Sequence, residues 1–66
     1  MTIELNGKQR QFAPSATIAD LLAQLEMGGR RVAVEVNLEI VPRSGYGEHV
    51  LSAGDRVEVV QAIGGG

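Results

Sequence analysis

The sequence predicts an α+β fold, in which one main helix packs on one face of a mixed sheet of four to five strands. Three observations predict it. Stretches of alternating polar and apolar residues near both ends of the chain are typical of strands, one intervening stretch has helical spacing, and Asn, Gly and Pro separate these segments. The 66 residues are enough for one domain, and with one Tyr and one Phe its core must be aliphatic.

The first element is a β-hairpin. Thr2–Leu5 alternates polar and apolar residues, and a second strand at Lys8–Phe12 follows Asn6-Gly7. Asn-Gly is the strongest short signal for a hairpin, because a type I′ turn requires positive φ at both central residues. The side chains that this pattern directs to the core are Ile3, Leu5 and Phe12.

The next element is a helix running roughly from Ile18 to Met27. Thr17 stands at the N-cap position with Asp20 three residues later, which is a variant of the capping box, and the Asp20 carboxylate suits the positive end of the helix dipole. Gly28 or Gly29 is predicted to provide the left-handed residue that ends the helix. The apolar face at i, i+3, i+4 and i+7 consists of Ile18, Leu21, Leu22 and Leu25.

The second half of the chain is predicted to contain three further strands. Asn37 tolerates a left-handed turn between the first two of them, and Pro42 ends the second, because proline cannot donate to a ladder. The segments are a strand at Val32–Val36, a short strand at Leu38–Val41, an irregular stretch at Arg43–Val50 and a last strand at Arg56–Ala62.

The order of these elements predicts a particular topology. One helix must cover one face of the sheet, and a last strand that lies centrally and parallel to the first fits the order strand, strand, helix, strand, short strand, strand. This is the β-grasp or ubiquitin-like arrangement. The prediction divides the chain into a β-grasp domain over residues 1–63 and a flexible glycine tail over residues 64–66.

Composition excludes several classes of function. The chain has no cysteine, which excludes a disulfide, a thiol nucleophile and a thiolate metal site. The net charge is -2 and the basic residues are scattered apart from Arg30-Arg31, so no nucleic-acid partner is expected. No apolar run approaches the roughly 18 residues of a membrane span, and no signal peptide is recognisable. We therefore expect a cytoplasmic protein without a membrane partner.

The sequence offers no catalytic site. His49 beside Glu48 is best explained as a loop histidine, and no motif joins it to the serines. The acidic residues are spread singly with no metal-ligand spacing, so neither a catalytic residue nor a metal site is predicted. A chain this short is expected to contribute a group to the chemistry of a larger partner.

The glycine tail is the candidate for that group. Residues without Cβ make a thin, flexible end at Gly64-Gly65-Gly66, which serves either as a spacer or as a reactive terminus that enters a narrow channel of a partner enzyme. A free α-carboxylate has a pKa of about 3.3–3.7 and is ionised at neutral pH. It is a poor electrophile in that form, so a reactive terminus requires activation, most simply as an acyl-adenylate.

The chain carries an ordered set of short motifs, which are Ile3 and Leu5-Asn6-Gly7, Thr17–Leu22, Val32–Asn37, Ile40–Arg43, Leu51 with Gly54-Asp55, and Gly64–Gly66. Each motif is weak alone, but together they cover essentially the whole chain and resemble the ThiS family, the sulfur carriers of thiamine biosynthesis. The sequence departs from the family at one point, since Tyr46 stands where members often have a Trp.

The resemblance implies a mechanism. An E1-like adenylating enzyme would use MgATP to adenylate the carboxylate of Gly66, and a sulfur donor such as a cysteine desulfurase would convert it to a thiocarboxylate. Thiazole synthase would then take the sulfur to build the thiazole ring. The chain is thus implied to be a carrier and co-substrate that binds no cofactor itself. In this mechanism Gly66 would bear the sulfur, while Gly64 and Gly65 would form the narrow lead into the partner's site.

Three alternative functions are compatible with the sequence, and one surface is a candidate for partner binding. The small subunit of molybdopterin synthase shares the fold and the chemistry, a ubiquitin-like modifier shares the activation step, and a passive β-grasp module would use the glycines as a linker. Strand alternation directs Val60 and Ala62 away from the helix, where they are candidates for a partner surface together with Tyr46. Sheet-edge packing is the alternative for Tyr46, and coverage by loops is the alternative for Val60.

Overall fold

The computed structural model describes residues 1–61, which form a five-stranded mixed sheet with one α-helix. The elements are β1 (Thr2–Leu5), β2 (Lys8–Gln11), α1 (Ile18–Gln24), β3 (Val32–Val36), β4 (Glu39–Val41), a 3₁₀ turn at Arg43–Gly45 and β5 (Arg56–Gln61). The strand order is β2-β1-β5-β3-β4. The last strand is central, parallel to β1 and antiparallel to β3, which confirms the predicted β-grasp fold.

Each of the two hairpins is closed by a turn of two residues. Asn6 and Gly7 have φ of 49° and 83°, as the type I′ prediction requires. Asn37 and Leu38 have φ of 52° and 72° and join β3 to β4 in the same left-handed sense. Leu38, which the sequence places in a strand, is therefore a turn residue, and β4 begins one residue later at Glu39.

The start of α1 is the predicted one. The Thr17 hydroxyl accepts a hydrogen bond from the Asp20 amide at 3.2 Å, and the Asp20 carboxylate accepts one from the Thr17 amide at 2.9 Å. This reciprocal pair satisfies two of the amides that a helix start leaves without partners. The capping box is thus complete although Asp replaces the longer Glu.

The end of α1 corrects the prediction. The helix stops at Gln24, and the left-handed residue is Glu26, with φ of 60°, not Gly28 or Gly29. The amides of Glu26 and Met27 bond the carbonyls of Ala23 and Leu22 at 3.0 and 2.8 Å, which is the Schellman pattern. The early stop lets Met27 fold back against the core, while Gly29, with φ of 86°, serves the following turn.

The core lies between α1 and one face of the sheet. Its buried residues are Ile3, Leu5, Phe12, Ala16, Ile18, Leu21, Leu22, Val34, Val36, Leu51, Val57 and Val59. These include the predicted inward residues of the first hairpin and of β5. Val32 was predicted to lie on the apolar face of its strand and Leu25 on the apolar face of the helix. Both are half-buried at the margin of the core.

Candidate partner-binding site

The candidate site is the end of β5 and the sheet face that faces away from the helix. Gln61 is the last described residue and pairs with Val32 at the start of β3. The predicted tail Gly64–Gly66 and the surface candidate Ala62 lie outside the described residues, so their roles and the division of the chain at residue 63 remain predictions. The strand that leads to them is β5, which ends at Gln61.

The side chain of Asn6 holds this end of β5. Its Oδ1 accepts a hydrogen bond from the Val59 amide at 2.8 Å, and its Nδ2 donates to the Val59 carbonyl at 3.2 Å. The Asn6 amide also donates to the Val57 carbonyl at 2.9 Å. Strand β1 ends opposite Val57, so Asn6 continues the ladder beyond the end of its own strand.

Asn37 makes a related contact at the opposite end of β5. Its Oδ1 accepts from the Arg56 amide at 3.0 Å, and its own amide donates to the Arg56 carbonyl at 2.8 Å. Its Nδ2 donates to the Asp55 carboxylate at 3.1 Å, which in turn accepts from the Ser52 amide. Each hairpin turn therefore begins with a left-handed asparagine whose side chain bonds the central strand.

The face of the sheet away from the helix, here called the outer face, presents apolar and acidic side chains. Val60 and Ile40 on this face are 64% and 76% exposed, which rules out coverage of Val60 by its own loops. Glu35 lies between Ile40 and Glu58 in one cross-strand row. Two carboxylates directly opposite each other repel, so this row costs stability in the isolated domain.

Three further features lie at the far end of the outer face. The Arg56 guanidinium contacts the Glu4 carboxylate at 3.0 Å, and both side chains are substantially exposed, so the pair adds little stability. Leu38 is 77% exposed on the turn that leads into β4. A shallow depression lined by Asn37, Leu38, Gly54 and Arg56 lies beside it, at the start of β5 and away from Gln61.

Tyr46 braces the start of β3. Its ring is half-buried against the core, and its hydroxyl donates to the Val32 carbonyl at 3.3 Å. Its own carbonyl accepts a hydrogen bond from the Ala19 amide in the first turn of α1 at 3.0 Å. Because Val32 is the partner of Gln61, Tyr46 supports the pairing at the end of β5 from within the domain. Its role on a partner surface remains a prediction.

Within residues 1–61 no group of acidic, histidine or cysteine side chains is arranged to hold a metal ion. His49 is half-buried in a loop, and its carbonyl accepts a hydrogen bond from the Ile18 amide at 3.1 Å. In the same part of the chain no helix is long and apolar enough to cross a membrane.

Sequence reasoning missed several residues of this site. It did not single out Ile40 or Leu38, because they were read as part of a short strand with no assigned face. Pairing Ile40 with Glu35 across a hairpin would have placed it on the outer face. It also missed the Asn6 bonds to Val59, since no local pattern signals a side chain that bonds a strand 53 residues later.

Comparison with known proteins agrees with this architecture. The model of the ThiS family matches residues 3–66. The sulfur carrier protein ThiS of Escherichia coli (strain K12) is 35% identical over 66 residues, covering 100% of both chains. The crystal structure of the thiamine biosynthesis protein (ThiS) from Geobacter metallireducens superposes with a TM-score of 0.85 at 32% identity, also covering 100% of both chains.

A second kind of relative is much longer. A thiazole synthase of Paramagnetospirillum magneticum is 47% identical over 66 residues, which are 100% of this chain and 20% of that protein. The chain thus spans a fifth of the length of this relative, within a protein named for thiazole synthesis.

Proposed function

The chain belongs to the ThiS family, and from this premise we propose that it is a sulfur carrier that supplies sulfur for thiazole formation in thiamine biosynthesis. It is a co-substrate of partner enzymes and not itself a catalyst. The observation that carries the proposal is the family match, which runs from residue 3 to residue 66 and so includes the three glycines. The predicted reactive group is the carboxylate of Gly66.

The first step is activation of that carboxylate. An E1-like enzyme binds MgATP, and a Gly66 carboxylate oxygen attacks the α-phosphorus, forming an acyl-adenylate and releasing pyrophosphate. Activation is necessary because an ionised carboxylate is a poor electrophile. This step consumes ATP, and we expect it to take place in the cytoplasm.

The second step installs sulfur. The terminal sulfur of a persulfide, formed by a cysteine desulfurase and passed on directly or by relay, attacks the acyl carbon and displaces AMP. A thiol then reduces the resulting acyl disulfide, forming a new disulfide and leaving the thiocarboxylate on Gly66. Thiazole synthase takes this sulfur, and the carrier returns to the carboxylate form. The name of the long relative supports thiazole synthase as this partner.

The domain contributes recognition. We assign the docking surface to the outer face, with Val60, Ile40 and Leu38 as its apolar contacts, because all three side chains are exposed there. Val60 precedes Gln61 at the tail end of this face, Ile40 lies on β4, and Leu38 lies at the far end. The remaining candidates are Ala62, two residues beyond Val60, and Tyr46, whose hydroxyl donates to the carbonyl of Val32, the first residue of β3. Gly64 and Gly65 provide the narrow lead to Gly66.

Charge adds a second requirement on the partner. Glu35 and Glu58 are directly opposite each other in the middle of the outer face, so an Arg or Lys of the partner would relieve their repulsion on docking. An adenylating enzyme that presents a basic side chain within an apolar surface therefore complements this face. The match gives specificity and rate of association more than affinity.

Growth requirements test the pathway. A strain that lacks the gene for this chain should need thiamine or its thiazole precursor, and the intact gene should restore growth while the gene without the Gly66 codon should not. Loss of molybdopterin-dependent activity with normal thiamine synthesis would assign the chain to the molybdopterin pathway instead. Amide-linked conjugates on target lysines would support a modifier, and unaffected growth in every medium would support the passive module.

A further inference from the structure

The end of β5 is held unequally on its two sides. On one side, β3 pairs with β5 as far as Val32 opposite Gln61. On the other side, β1 ends at Leu5 opposite Val57, four residues before the end of β5. In residues 1–61, the side-chain hydrogen bonds to the backbone of β5 beyond Val57 come from Asn6.

Asn6 replaces a missing strand at this point. Its amide group presents an acceptor and a donor to the Val59 N–H and C=O, as the backbone of a continuing β1 would. Val59 is buried and its backbone groups face this side, so an unpaired state would leave polar groups without partners beside the core. The left-handed φ of 49° turns the side chain toward β5.

We infer that Asn6 is a positioning residue for sulfur transfer, which fixes the end of β5 so that the tail leaves the domain from a rigid base. This inference rests on the proposed function, because it assigns a role in presenting Gly66. When a partner enzyme holds the tail, each residue that it must order costs conformational entropy, and glycine costs most. A frayed end of β5 would add Val59, Val60 and Gln61 to the segment that binding must order.

The consequence for the reaction is specific. Loss of the Asn6 bonds should weaken productive binding and raise KM for the carrier in the adenylation step. It should leave kcat unchanged, since a bound tail meets the same groups in the partner. Neither effect requires contact between Asn6 and the tail, so Asn6 acts through β5 and not on the reacting atoms.

The chain offers a matched control. Asn37 also begins a two-residue turn in the left-handed conformation and also bonds the backbone of β5, but at Arg56, the end away from the tail. Glycine adopts positive φ readily, so N6G and N37G both keep their turns and remove only the side-chain bonds. N6D is a second variant at the first site, because it keeps an acceptor for the Val59 amide and replaces the donor to the Val59 carbonyl with a carboxylate oxygen, which repels that carbonyl.

Two measurements test the inference. Amide hydrogen exchange on the free chain gives the ratio of the Val60 exchange rate to the Val34 exchange rate. This ratio should be about tenfold higher in N6G than in the unsubstituted chain, and it should be unchanged in N37G. ATP–pyrophosphate exchange with the cognate adenylating enzyme should show KM for the carrier raised about tenfold in N6G, also raised in N6D and unchanged in N37G, with the same kcat throughout.

Equal effects of N6G and N37G in both measurements would overturn the inference and leave Asn6 as an ordinary structural residue. An unchanged Val60 ratio in N6G would overturn it whatever the enzyme assay gives. Lack of pyrophosphate exchange with the unsubstituted chain would instead count against the proposed function, and the exchange of Val60 would still decide whether Asn6 orders the end of β5.

Discussion

Leu38 occupies a backbone conformation that leucine rarely adopts. Its φ of 72° brings Cβ close to the following carbonyl, which costs roughly 1–2 kcal/mol for a residue other than glycine. Its side chain is 77% exposed, so burial does not offset this cost. Strain and exposure together at one apolar residue favour a role in contacting a partner, consistent with its assignment to the proposed docking surface.

Replacing Leu38 with glycine should therefore stabilise the domain. Relief of the left-handed strain outweighs the extra freedom that glycine gives the unfolded chain, and we expect a net gain of about 0.5–1 kcal/mol in the free energy of unfolding. Urea denaturation of the L38G variant measures this gain. An unchanged or lower free energy of unfolding would contradict the strain account, whereas L38A should show no comparable gain because alanine also has a Cβ.

At the scale of elements, the start and the end of α1 obey different rules. Thr17 and Asp20 are close in sequence, so their reciprocal bonds could be predicted from spacing alone. The end depended on where Met27 packs, which is a property of the core, and Glu26 accepts positive φ to allow it. Glycine preference predicted a later stop because local propensity carries no information about that packing.

The cap makes a measurable contribution to this short helix. Thr17→Ala removes the acceptor for the Asp20 amide and should lower the free energy of unfolding by about 1 kcal/mol. Thr17→Ser keeps the hydroxyl and should remain within a few tenths of a kcal/mol of the unsubstituted chain. Thermal or urea unfolding measures both variants, and equal stability of the alanine and serine forms would show that the cap is not used.

The outer face is the element-scale candidate for docking. Val60→Asp should raise KM for the carrier in adenylation about tenfold, because it places a charge in the apolar part of the proposed interface. Val50→Asp is the control, since Val50 is a 55% exposed valine bridged to Thr17 beside the helix. Equal KM values for the two variants, with both chains folded by circular dichroism, would remove Val60 from the docking surface.

At the scale of the whole molecule, the fold was predictable and the site only in part. Asn6-Gly7, the capping box and the alternation of β5 each determine an element from neighbouring residues, and five strands with one helix leave few arrangements. The outward direction of Val60 followed from alternation, and its side chain is exposed on that face, while its role as a partner contact stays a prediction. The Asn6 bonds to Val59 and the exposed Ile40 depend on contacts between distant segments, which local patterns do not specify.

The central claim, that Gly66 carries the sulfur, is tested most directly by intact-mass measurement with fragmentation. The chain is incubated with the cognate adenylating enzyme, MgATP, a cysteine desulfurase and cysteine, with omission of ATP as the control. The account predicts a species in which one oxygen is replaced by sulfur, with fragment ions assigning the replacement to Gly66 and no such species without ATP. An unchanged mass in a system that thiolates a known carrier, or sulfur at any other residue, would contradict it.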